Sequence, residues 1–65
     1  MSRDARINPV DGDILAIGIS QWEVLYADEY LVSVVRMGSV NSMHIGNFRE
    51  FFRKASTVRY GDEGK

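Results

Sequence analysis

The 65-residue chain has no cysteine, one proline and one histidine. Without cysteine there is no disulfide, no zinc–thiolate site and no thiol nucleophile. No segment approaches the roughly 18 consecutive apolar residues of a membrane helix. The opening residues, Met1 to Arg6, are polar and mixed in charge. With no apolar stretch there, a secretory signal is not expected and a cytoplasmic protein is. Gly-rich phosphate loops are missing: Gly12 and Gly18 stand too far apart, and no lysine follows either. No G-x-S-x-G turn is present to strain a serine nucleophile. Lysine and arginine are absent from residues 11–35.

What remains is the composition of one small folded domain. Apolar residues make up 45% and charged residues 26%, which excludes a disordered chain. A chain this short buries only about 60% of its unfolded surface and must fold on its core alone. Few enzymes fit in that space, so a non-catalytic protein without cofactor or metal is expected.

Hydrophobic period divides the chain. Residues 1–7 read as a mobile arm, 8–60 as the domain and 61–65 as a polar, fraying tail. Asn8-Pro9 and Asp11-Gly12 are turn signals. Period-two alternation predicts strands at about 13–19, 22–27, 30–37 and 40–45. Ala27 to Tyr30 is a polar turn, and Gly38-Ser39 has the form of a type II′ hairpin turn. Phe48, Phe51, Phe52 and Ala55 then fall at i, i+3, i+4 and i+7, one helix face over about 48–55. Asn47 is the expected N-cap, with Glu50 at the third position of a capping box. Ser56 to Tyr60 is a short fifth strand. These elements predict a mainly β fold. It is a small SH3-like or Tudor-like five-stranded antiparallel barrel, or a curled sheet, with one short helix before the last strand. The three Phe residues and Trp22 are expected in the core.

The order Gly12-Asp13-Ile14, Trp22-Glu23-Val24-Leu25, Asp28, Val32, Val34, Arg36, Gly38, Met43, Phe48 and Phe52 is similar to a known pattern. It resembles the very short SH3-like proteins of unknown function encoded by lambda-like phages and prophages, over residues 11–58. The resemblance implies a phage or mobile-element origin and brings no activity with it.

Charge is unevenly divided. Residues 11–35 hold Asp11, Asp13, Glu23, Asp28 and Glu29 with no cation. Residues 36–60 hold Arg36, Arg49, Arg53, Lys54 and Arg59 against Glu50 alone. The formal net charge of −1 hides this asymmetry. Arg49 and Arg53, at i and i+4, repel each other on one helix face. The five cations form a candidate basic face. Tyr26, Asp28, Glu29 and Tyr30 form a candidate acidic and aromatic face suited to a basic or proline-containing peptide. A protein partner bound through these opposite-signed faces is the leading expectation. Nucleic acid on the basic helix face is the alternative, opposed by a sequence pI of 5.7. A homodimer, through acidic-to-basic pairing or an edge strand, is compatible with the protein-binding expectation. Asp11 and Asp13 read as an Asx-type turn into the first strand. His44 reads as a hydrogen-bonding surface residue, with a pairing to Ser33 or Ser42 left open.

Overall fold

A computed structural model describes residues 3–61. Its order is β1 (Ile14–Ile17), β2 (Ser20–Ala27), β3 (Leu31–Arg36), β4 (Ser39–His44), α1 (Ile45–Phe51) and β5 (Ser56–Arg59). The protein is mainly β, as expected, with five antiparallel strands in one sheet of order β4-β3-β2-β1-β5. The sheet is not closed into a barrel. β5 returns only to β1, and β4 is the opposite edge. With just four residues and a register shift beside Leu15, β5 is too short to span both edges.

Period two sorts the strand residues as expected. Leu15, Val24, Val32 and Val34 point to one face and are fully or almost fully buried. α1 covers that face with Ile45 and Phe48, and Phe52 and Ala55 continue the cover just beyond its end. Register shifts beside Leu25 in β2 and Val58 in β5 bend the sheet around this cover.

Two hairpin turns differ from expectation. The β1–β2 turn is Gly18-Ile19, flanked by the pair Ile17 and Ser20. Ile19, expected inside the first strand, is a turn residue and fully exposed. Gly18 carries the positive φ of 63° that the first position of a II′ turn demands. The β3–β4 turn is Met37-Gly38, not Gly38-Ser39. Both residues have positive φ, 51° and 82°, which is the I′ pattern rather than II′.

The helix also begins three residues earlier than expected. His44, not Asn47, is the N-cap, and its Nδ1 accepts from the Gly46 N–H at 3.0 Å. The apolar face runs Ile45–Phe48–Phe52–Ala55. This leaves Phe51, expected in the core, half exposed.

The N-terminal residues do not form a separate arm over the described part. Ala5 is fully buried in the core. Arg3 reaches Asp13 through a two-pronged ion pair, Nη1 to Oδ2 at 2.6 Å and Nη2 to Oδ1 at 2.9 Å. The Asp13 side chain is completely buried, so it is no exposed Asx turn. It also accepts from the Val10 and Gly61 N–H groups. Asp13 lies on the Leu15 face of the chain, two residues before it, which is why its carboxylate enters the interior. Gly61, expected in a fraying tail, is fixed here. A Cβ on it would overlap the Asp11 carbonyl oxygen. The rest of the expected tail, 62–65, and residues 1–2 lie outside the described residues.

Burial acts to raise the Asp13 pKa, but Arg3 and the two backbone donors outweigh it and hold the carboxyl below its ordinary value. A depressed folded-state pKa gives stability that is present above the unfolded value and lost as pH falls through the folded one. Acid unfolding followed by circular dichroism should therefore begin below about pH 4. Asp13→Asn should cost about 3 kcal/mol or more by leaving the Arg3 cation without its buried counter-charge. It should also flatten the acid limb of the stability curve. Gly61→Ala should lower stability by about 1–3 kcal/mol through backbone overlap. Equal melting midpoints for Gly61→Ala and wild type would show that Gly61 is not clamped.

Candidate functional site

The antiparallel path of the strands puts the β1–β2 and β3–β4 turns at the same end of the sheet. Arg36, the last residue of β3, ties them together. Its Nη2 donates to the Ser20 Oγ at 3.2 Å, and its guanidinium lies 5.5 Å from the centre of the Trp22 ring. Trp22 in turn meets Phe51 and Phe52 edge-on, with ring centres 5.6 and 5.5 Å apart. Trp22 is thus only partly core, and with Phe51 it continues the surface of the turns.

This hairpin end is unusually apolar for a surface. Ile19 is fully exposed, Met37 is 88% exposed, and Ile17 and Phe51 are partly so. Arg53 and Lys54 lie two and three residues after Phe51, where the chain leaves α1 for β5. Arg53 also accepts, through its carbonyl, a bond from the Arg6 Nη1 at 2.9 Å.

The remaining expected cations are elsewhere. Arg49 donates through Nε to the Ile7 carbonyl at 2.9 Å. It lines a shallow depression with Pro9, Ile45, Asp28 and Glu29, among the acidic residues. Arg59 donates to the Gly12 carbonyl at 3.2 Å and sits beside Asp11 and Tyr60. The structure therefore brings Arg36, Arg53 and Lys54 toward the hairpin end, and Arg49 and Arg59 toward the opposite one.

Tyr26, Asp28, Glu29 and Tyr30 remain grouped around the β2–β3 turn, at the end remote from the hairpin turns. The Tyr26 hydroxyl donates to Asp28 Oδ2 at 2.6 Å, while Asp28 Oδ1 accepts from the Tyr30 and Leu31 N–H groups at 2.7 Å. The Tyr26 bond and those backbone bonds lower the Asp28 pKa, and the same carboxylate raises that of Tyr26. Asp28 is thus committed to closing its turn. Tyr30 is two-thirds exposed and Tyr26 half exposed.

His44 pairs with neither Ser33 nor Ser42. The Ser33 and Ser42 hydroxyls bond each other at 2.7 Å, and His44 Nδ1 is occupied by the Gly46 N–H. Among the described residues no three His, Cys, Asp or Glu side chains are placed to share a metal ion. No helix among them is long and apolar enough to cross a membrane. A surface depression of about 490 Å³ is lined by Arg3, Asp4, Arg6, Ala55, Thr57 and Tyr60. Its arginines are engaged with Asp13 and Asp4.

The apolar turns were not among the residues that sequence patterning singled out. The available signal was Gly18 and Gly38, each beside a large apolar residue where turns normally carry Asn or Asp. Comparison with protein-family models, with curated proteins and with solved structures finds no match for the chain.

The two neighbouring phenylalanines offer a test of this surface. Phe52→Ala should cost about 3–5 kcal/mol, as expected of a fully buried ring. Phe51→Ala should cost only about 1 kcal/mol and leave a folded protein. Similar losses in urea titrations of both variants would place Phe51 in the core after all.

Proposed function

We propose that the protein is a small non-catalytic interaction module whose protein partner docks on the hairpin end. The observation that supports this most directly is Met37. A non-glycine residue at φ 51° is conformationally costly, and an apolar side chain that is 88% exposed gains nothing from the fold in return. Asn-Gly would make the same I′ turn with less strain. Met37 is flanked by the exposed Ile19 turn and by the Arg36–Trp22–Phe51 group, and aromatic, methionine and arginine side chains are the types enriched in protein interfaces. Arg36, Arg53 and Lys54 gather toward this end, while the other mixes Asp11, Asp28 and Glu29 with Arg49 and Arg59, so the charge difference runs between ends rather than between faces. Such polarity orients an approaching partner.

The SH3-like reading is supported by the five short antiparallel strands and by the single helix before the last of them. With it go the proposed phage or mobile-element origin and a cytoplasmic site of action. Nucleic acid is the second reading, favoured by Arg36 stacked on Trp22 beside Arg53 and Lys54. It draws less support because Arg49 and Arg59 are turned onto backbone carbonyls at the opposite end.

Met37→Asn separates stability from binding. It should stabilise the fold by about 0.5–1 kcal/mol, raising the melting temperature by a few degrees. Combined with Ile19→Asn, it should abolish retention of the proteins that immobilised wild type captures from host lysate after nuclease treatment. An unchanged captured set would remove the hairpin end as the contact. If capture instead vanishes on nuclease treatment, and affinity for mixed oligonucleotides falls linearly in log–log salt, the nucleic-acid reading replaces it.

A further inference from the structure

The two edges of the sheet are not equivalent. β5 has only four residues, is interrupted at Val58 and ends in Arg59. A short, bulged, charged strand is a poor template for further pairing. β4 has six residues, pairs with β3 without interruption, and carries no formal charge, no proline and no bulge. All its residues except Met43 are exposed.

The register identifies which backbone groups of β4 are free. Arg36 and Ser39 flank a two-residue turn and so form a mutually hydrogen-bonded pair, as do Val34 with Asn41 and Val32 with Met43. The ladder continues one step further, where the Ile45 N–H donates to the Tyr30 carbonyl. Val40, Ser42 and His44 alternate with these residues and direct their N–H groups away from the sheet. The Val40 and Ser42 carbonyls point the same way, while that of His44 is taken up at the start of α1.

We propose that β4 pairs antiparallel with β4 of a second copy of this chain, about a two-fold axis passing at Ser42. The argument for a second copy is charge and symmetry. A two-fold axis sets each strand against its own image, which charges near the axis would oppose. β4 is neutral in a chain that is 26% charged. With the axis at Ser42, Val40 faces the partner's His44 and the two Ser42 residues face each other. About four backbone hydrogen bonds then form between copies. The Ser33–Ser42 hydroxyl pair, 2.7 Å apart, becomes half of a four-serine ladder across the joint. The interface lies on a strand edge and leaves the hairpin end open.

Sedimentation velocity from low micromolar to millimolar concentration tests the pairing. Wild type should pass from monomer to dimer within this range. Ser42→Lys, which sets two cations against each other at the axis, should raise the dissociation constant about tenfold or more. It keeps the β3–β4 bonds and hence the wild-type circular dichroism spectrum. Because the chain contains no cysteine, single replacements report register directly. Ser42→Cys should form a disulfide-linked dimer on mild oxidation, and Ser39→Cys should not. A wild type that stays monomeric throughout would overturn the proposal, as would equal crosslinking of the two cysteine variants. A dimer that Ser42→Lys leaves intact, with that variant still folded, would do the same.

Discussion

The fold depends on a carboxylate placed where water cannot reach it. Asp13 stands at the entry to β1, and its side chain receives Arg3 from one end of the described chain and Gly61 from the other. Its backbone is also engaged: the carbonyl accepts from the Val24 N–H, and the N–H donates to the Val10 carbonyl. An open sheet with a short last strand has little else to hold its margins. A pair of apolar residues would satisfy the burial there, but without direction. The two-pronged arginine, joined by two backbone donors, admits one geometry and so fixes Arg3 and Gly61 relative to each other.

Much of this architecture is legible in the residues. Alternation in Leu15, Trp22–Val24 and Val32–Val34 marks the buried face, and the Phe48–Phe52 spacing marks a helix over it. The errors have identifiable causes. Ile19 and Met37 are apolar, so a period-two reading absorbs them into strands, although glycine beside each supplies the positive φ of a turn. Asn47 is a better N-cap by type than His44, yet Ile45 is needed to complete the apolar face, and that need moves the helix start. Asp13 reads as a turn residue because carboxylates usually are. Only its parity with Leu15, together with a distant arginine, reveals a buried pair.

The candidate site was less legible than the fold. Unequal charge along the chain is plain, but its placement in space is not. α1 ends at Phe51, so Arg53 and Lys54 fall beyond it on the way to β5, whereas Arg49 stays within the helix and joins the Asp28–Glu29 turn. The apolar surface is invisible to patterning for a different reason. A residue's apolar character predicts burial, and a binding surface is where that rule is broken.

The shared carboxylate also brings the two ends of the described chain to one place. Arg3 and Gly61 bond the same side chain, at the end of the sheet opposite the Ile19 and Met37 turns. A polypeptide joined before Arg3 and another joined after Gly61 would emerge beside each other, like two leads from one terminal. Neither would have to cross the hairpin end to leave the domain. The same geometry suits circular permutation: a short linker could bridge Arg3 and Gly61, and new ends could be opened in a turn without separating any strand from its neighbour.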